Sequence, residues 1–536
     1  MKIIVTEKIS ESGIEYLKKH AEVDVKTNIS REELLGIIKN YDAIIVRSAT
    51  KVDRELIEKG EKLKVIGRAG NGVDNIDVSS ATEKGILVVN TPTGNIVAAA
   101  ELTVGLMLAI ARNIPQAYHA GLNGDFRRDK FKGVELNGKT VGIIGFGRIG
   151  SLVAARLAAF NMRVIAYDPY MPDSRFEKYG VEKVTLDELL QQSDFITIHL
   201  PKTEETKKMI GEKEFKKMKK GVRIVNAARG GIIDEKALYN AIKEGIVAAA
   251  GLDVLEVEPK YNVERQDFHN PLLELPNVVF TLHLGASTYE AQENIGISIA
   301  QEVISALNGN LYGNIVNLPG VKSDEFSQLK PYMRLAEAMG ALYYQINETP
   351  VRLVEVIYRG EISRTNTEIV TLYALKGFLK PVLEEDVSVV NAKLRAKEMG
   401  IEIVEGKIEE IDHYSSLIIL KITDTHGKTT QFAGTTYGEE IRIVEYMDHK
   451  VNFEPTENML FVKNKDVPGV IGHIGNVLGD FGINISTMQV SPNKNDGTAL
   501  MIVSTDKEIP DEAVESLNKL NSIIKARAVK LSLIHI

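Results

Sequence analysis

The chain runs to 536 residues with no cysteine, and 65 Lys+Arg against 73 Asp+Glu leave a formal net charge of −8. Disulfides, thiol nucleophiles and cysteine zinc sites are therefore excluded, and the acidic balance speaks against nucleic acid, whose phosphates need a basic face. With 44% hydrophobic residues, no apolar run of bilayer length and no signal-peptide pattern at the N-terminus, the expectation is a soluble, cytoplasmic chain with no membrane partner, holding three or four domains of about 150 residues.

Residues 1–98 alternate strand and helix. Lys2–Val5, Glu22–Val25, Ala43–Val46, Val65–Ile66 and Ile86–Val89 read as strands, with helices near 11–20, 31–40 and 53–59. Such alternation makes a parallel sheet. A long helix, about 95–112, leads out of it.

The run Gly145-Phe146-Gly147-Arg148-Ile149-Gly150 follows the apolar strand Thr140–Ile144 and opens a helical pattern over 151–160. A second strand, Arg163–Tyr167, ends in Asp168, 168 − 150 = 18 residues beyond the last glycine. That order and spacing define a dinucleotide-binding unit, whereas a bare glycine pattern would be weak evidence. Gly145 permits the tight turn, Gly147 lets the backbone approach a pyrophosphate, and Gly150 lets the helix pack against the sheet. The helix N-terminus offers unpaired N–H groups to the phosphates. Asp168 can accept the ribose hydroxyls and would repel a 2′-phosphate, which predicts NAD rather than NADP.

Further strands read at 195–200, 223–227, 248–254 and 278–283, and a helix over about 288–307 is placed to return to the first domain. The reading is one discontinuous domain, 1–98 with 287–318, interrupted by a cofactor domain, 99–286. Three polar residues stand at strand or loop ends of the cofactor domain: Arg229, Glu258 and His283. Singly, a strand-end histidine is more often structural and a loop Arg or Glu solvated; joint placement beyond a dinucleotide unit reverses that. Oxidation of a 2-hydroxy acid asks for such a set. A histidine takes the hydroxyl proton, a carboxylate on its other nitrogen fixes the tautomer, and a guanidinium grips the substrate carboxylate.

Asn317-Leu318-Pro319-Gly320 marks a boundary. An α+β stretch, 319–452, follows with a helix near 326–345 and strands near 352–358, 401–405 and 415–423, and carries no chemical motif. Residues 456–532 read β-α-β-β-α-β, the ferredoxin-like order. The tail Leu533–Ile536 has no evident role.

Several blocks resemble a known family. Asn226–Asp234, Gly251–Pro259 and His283–Ser287 are similar to signature segments of the D-2-hydroxyacid dehydrogenases, and Ile45–Val52, Gly67–Asp77 and Asn90–Asn95 resemble its D-3-phosphoglycerate dehydrogenase branch, in the long form with an intervening domain and a C-terminal ACT domain. The resemblance implies an α/β fold: a Rossmann-type domain inserted in a flavodoxin-like parallel domain, then two α+β regulatory domains. It implies 3-phosphoglycerate as substrate, L-serine as effector and a homo-oligomer, dimer or tetramer. It makes Arg229, Glu258 and His283 the catalytic set. It assigns the cofactor to Asn71, Gly145, Gly147, Arg148, Ile149, Gly150, Asp168, Leu200, Ala227, Ala228, Arg229, Asp253, His283, Gly285 and Ala286, with Asp253 at the nicotinamide carboxamide. Arg47, Arg68 and Arg128 would meet the substrate's charges, although the family more often has Trp where this chain has Phe126, which leaves Arg127 and Arg128 as alternatives. Asp466 and Asn484 would hold an effector. A different 2-hydroxy acid, or a non-enzymatic NAD-sensing scaffold, stays open on the residues alone.

Overall fold

The computed structural model describes residues 1–259, 264–347, 349–383, 387–411, 413–493 and 496–531; the tail Leu533–Ile536 lies outside them. Its contacts divide the chain into two units, one of residues 1–8, 14–90 and 299–536, the other of 9–13 and 91–298. Apart from residues 9–13, the chain changes unit at 90/91 and 298/299, where the sequence placed the breaks at 98/99 and 286/287. The helix Ile96–Arg112 falls wholly in the second unit because its buried face, including Ala100, Leu106, Met107 and Ile110, belongs to that unit's core.

In the first unit, β1 (Lys2–Val5), β2 (Glu22–Val25), β3 (Ala43–Val46), β4 (Val65–Arg68) and β5 (Leu87–Asn90) form an all-parallel sheet in the order 2-1-3-4-5. This is the flavodoxin-like order. β1, β3, β4 and β5 are short, apolar and largely buried, as parallel strands between helices must be, whereas the edge strand β2 is polar and has no buried residue. Residues beyond Ile299 close this sheet: Val303 packs on Gly67, and Asn317 accepts from Val88 N and donates to Ile86 O at the β5 edge.

The second unit holds β6 (Thr140–Ile144), β7 (Arg163–Tyr167), β8 (Glu182–Lys183), β9 (Phe195–Ile198), β10 (Val222–Asn226), β11 (Val247–Leu252) and β12 (Val278–Phe280). The sheet order is 12-11-10-9-6-7-8, every pair parallel. Counted from β6, this is the Rossmann order 3-2-1-4-5-6 with one strand added. The helix after β6 spans Arg148–Ala158, three residues earlier than its apolar repeat suggests, because Gly147 is its N-cap.

The remainder of the first unit carries two further sheets. β13 (Val351–Gly360), β14 (Glu402–Ile408), β15 (Ser416–Asp424), β16 (Thr429–Tyr437), β17 (Glu440–Tyr446) and β18 (His449–Phe453) form a mixed sheet against the helix Ser323–Ile346. β19 (Asn458–Lys465), β20 (Ile485–Asn493), β21 (Thr498–Thr505) and β22 (Ile523–Lys530) form an antiparallel sheet in the order 20-21-19-22, the ferredoxin-like arrangement. One face of that sheet packs on its own helices. The other meets the preceding sheet through Phe461, whose ring lies 5.9 Å from both Tyr446 and Phe453. Among the described residues no single helix is long and apolar enough to cross a membrane.

Candidate active site

All strands of the second unit run the same way, so the segments leaving β6, β7, β9, β10, β11 and β12 gather at one edge of the sheet. Ligands of open α/β sheets bind at this edge. The glycine loop is built as its sequence requires. Gly145 has φ +93°, and a Cβ there would lie 2.6 Å from His199 O. A Cβ on Gly150 would lie 2.2 Å from Gly145 O, so the helix can approach the strand only without a side chain. Above Gly147 nothing stands within 4 Å. The tight, closed positions and the single open one match a loop that receives a phosphate on its exposed N–H groups. Asp168 is 6% exposed and accepts from Phe146 N at 2.9 Å and Tyr170 N at 3.0 Å. It ties the acid to the glycine loop while each oxygen keeps a second lone pair. Arg148 and Ile149 begin the helix, and Leu200 follows β9. These residues fit a dinucleotide.

β10, β11 and β12 are neighbours, and they bring the expected catalytic residues to the same edge. Asn226, buried at the end of β10, donates to Arg229 O at 2.9 Å and accepts from Ala228 N at 3.1 Å, so its amide fastens the turn holding Ala227, Ala228 and Arg229. Arg229 Nη1 donates to Ala228 O. A Cβ on Gly230 would lie 1.7 Å from Leu255 O, which presses this turn against the segment carrying Glu258. His283 follows β12 in a left-handed conformation, φ +55°. Its Nδ1 lies 3.0 Å from each oxygen of Glu258. With Nδ1–H donated to the carboxylate, the neutral imidazole carries its lone pair on Nε2, the arrangement a general base needs.

Asp253, at the end of β11 and 1% exposed, organises this turn. Oδ1 accepts from Thr281 Oγ1 at 2.6 Å and Leu284 N at 2.7 Å, Oδ2 accepts from Gly285 N at 2.9 Å, and Asp253 O receives His283 N at 3.0 Å. Where the resemblance gives Asp253 to the nicotinamide carboxamide, its carboxylate in this structure holds the 281–285 turn. Gln292 donates to Ala286 O and closes the turn's far end. Asn226 and Thr281 in these roles were not singled out from sequence; their only signal is a polar residue at the end of a buried strand. A second strand-end histidine, His199, is half-buried, and desolvation pushes it down to about 3. Of the two, only His283 is partnered by a carboxylate among the described residues.

Arg127 is tied to Asp125 through Nε at 2.7 Å and Nη2 at 2.6 Å. Arg128, beside it in the turn Arg128–Phe131, is exposed and forms no such pair among the described residues. In the first unit, Arg47 and Arg68 leave the adjacent parallel strands β3 and β4 at one edge, Val46 being in register with Arg68. The Arg68 guanidinium lies over Gly70, where a Cβ would fall 1.6 Å from Nη1. Asn71 O accepts from Asn90 Nδ2 at 2.6 Å.

Asp466 and Asn484 are both exposed, but the structure does not bring them together in one chain. Asp466 precedes the helix Val470–Asp480 and Asn484 follows it. Eleven helical residues separate them, a rise of about 16 Å.

Comparison with known proteins identifies three regions of the chain. Residues 104–285 match the D-isomer specific 2-hydroxyacid dehydrogenase NAD binding domain, 328–447 the D-3-phosphoglycerate dehydrogenase intervening domain, and 458–522 the ACT domain. D-3-phosphoglycerate dehydrogenase of Archaeoglobus fulgidus is 46% identical over 99% of this chain and 100% of its own length. The enzyme of that name from Methanocaldococcus jannaschii is 45% identical over 99% and 100%. The solved structure of a D-lactate dehydrogenase of Aquifex aeolicus, complexed with NAD and lactic acid, matches 60% of this chain and all of its own, at TM-score 0.53 and 30% identity. The cofactor is NAD, and the chain belongs to the D-3-phosphoglycerate dehydrogenase family.

Proposed function

We propose that this chain oxidises 3-phospho-D-glycerate to 3-phosphohydroxypyruvate, the entry step of phosphorylated serine synthesis. The observation that carries the reading is the Glu258–His283 contact at 3.0 Å on the ligand-binding edge of an NAD domain. His283 Nε2 takes the proton of the substrate's C2 hydroxyl. Glu258 keeps the ring in the required tautomer and stabilises the imidazolium that forms. Arg229 holds the substrate carboxylate bidentately. NAD, when bound, accepts the hydride from C2. Arg47 and Arg68 supply positive charge for the phosphate, as a trianionic substrate needs in a net-acidic protein, and Arg128 is a further candidate for its charges.

L-Serine is the effector in this reading, held between ACT modules. The separation of Asp466 and Asn484 supports a ligand shared by two modules, Asp466 from one and Asn484 from the other, and hence a homo-oligomer. NADH formation at 340 nm tests the proposal, with 3-phospho-D-glycerate beside D-glycerate and D-lactate, each with and without L-serine. Turnover of the phosphorylated acid, suppressed by serine, is expected. Turnover of only an unphosphorylated acid would move the substrate; indifference to serine would leave the ACT module an assembly surface.

A further inference from the structure

The loop Arg47-Ser48-Ala49-Thr50 leaves β3 with Ser48 and Ala49 exposed, and no apolar side chain of its own anchors it to the core. A polar clamp holds it instead. Glu7 Oε1 accepts from Arg47 N and from Thr50 N, both at 2.8 Å, and Oε2 accepts from Ala49 N at 3.1 Å. On the carbonyl side, Asn75 Nδ2 donates to Arg47 O at 2.7 Å and to Thr50 O at 2.6 Å. Thr6 Oγ1 lies 2.9 Å from Thr50 Oγ1, and Arg47 Nη1 donates to Lys8 O at 3.2 Å. Glu7 lies two residues beyond β1, which pairs with β3 in parallel, so the two segments leave the sheet side by side.

We propose that Glu7 is a positioning residue for the substrate phosphate, acting through Arg47. Five hydrogen bonds from one carboxylate and one amide fix a four-residue loop whose chemistry-bearing side chain is Arg47. Bonds from N–H to a carboxylate are charge-assisted and short, so they restrict the loop more than neutral partners would. The three donors also absorb the charge of Glu7, which would otherwise repel an anion arriving at Arg47. A glutamine has the same shape, yet its NH2 group presents hydrogen to an N–H and turns one end of the clamp repulsive. The proposal rests on the reading of Arg47 as a phosphate contact.

The test is steady-state kinetics of the full-length protein with Glu7→Gln, Asn75→Ala, Arg47→Ala and the Glu7→Gln/Arg47→Ala double variant. Glu7→Gln is expected to raise KM for 3-phospho-D-glycerate about 10- to 100-fold, the scale set by a displacement of order 1 Å. The saturating kcat, the NADH Kd and kcat/KM for D-glycerate are expected to stay within about twofold. Asn75→Ala, which loosens the same loop from its carbonyl side, gives the same split and carries the test if Glu7→Gln folds poorly. The double variant is no worse than Arg47→Ala alone, because coupled residues are not additive. If Arg47→Ala raises KM and neither clamp variant does, the clamp is wrong. If the clamp variants lower kcat equally on both substrates, Glu7 is merely structural and the proposal is overturned. If Arg47→Ala itself leaves KM unchanged, the reading beneath the proposal fails instead.

Discussion

The turn that carries His283 and the loop that carries Arg47 each leave the C-terminal end of a parallel strand, and each is gathered by one carboxylate that accepts backbone N–H groups. Asp253 takes two of them and a hydroxyl; Glu7 takes three. They differ in their access to water. Asp253 is 1% exposed and holds a histidine in a left-handed conformation, which costs about 1–3 kcal/mol unless its surroundings enforce it. Glu7 is only half-buried. A donor orphaned inside the protein costs about 1–3 kcal/mol, whereas one that water can reach loses little. The same device therefore maintains fold and chemistry together around His283, and side-chain placement alone around Arg47.

Breaking the buried member should have the largest effect. Asp253→Ala is expected to lower kcat about 100-fold and to lower the melting temperature as well, read by enzyme assay and thermal melts on one preparation. Lost activity with an unchanged melt would contradict the structural part of this role. The glycine loop offers a second comparison within a few residues. Gly150→Ala forces a methyl to within 2.2 Å of Gly145 O and is expected to cost about 1–3 kcal/mol of stability. Gly147→Ala meets nothing within 4 Å, so its melt should match wild type while NADH binding weakens about tenfold in a fluorescence titration. Equal melts for the two variants would mean that the loop is not closed as described.

The smallest effect concerns His199. Desolvation holds it near 3, against an ordinary 6.5, so between those pH values the unfolded chain binds a proton that the folded chain refuses. Stability is fully present above about 6.5 and falls as pH is lowered, by at most about 1.4 kcal/mol per pH unit. Melts at pH 7.5 and 5.5 should show a larger loss for wild type than for His199→Asn; parallel losses would remove His199 from the account.

The parts legible in the sequence were those whose physics is local. Apolar strands of four or five residues with glycines at fixed offsets announce a parallel sheet and a phosphate loop. β16 was not legible, because it buries Thr430 and Thr435 among its core positions. The Thr435 hydroxyl is satisfied by Ser416 O at 2.7 Å, so no apolar alternation appears. The helix start at Arg148 was hidden because its N-cap is Gly147, which has no capping side chain, and its first turn buries Gly150. The clamp at Glu7 left no trace either. A glutamate after a strand is ordinary, and its partners lie some forty positions away, at Arg47, Ala49 and Thr50. The separation of Asp466 from Asn484 follows from their flanking one helix, and becomes functional only when a second module is considered.

The most direct test of the central claim, that the His283–Glu258 pair moves the proton, is the initial rate of NADH formation by His283→Gln beside wild type at saturating 3-phospho-D-glycerate and NAD. NADH affinity is measured on the same samples. The account predicts a fall in kcat of about 10²- to 10⁴-fold with NADH affinity unchanged within about twofold. A variant that turns over at the wild-type rate would contradict it.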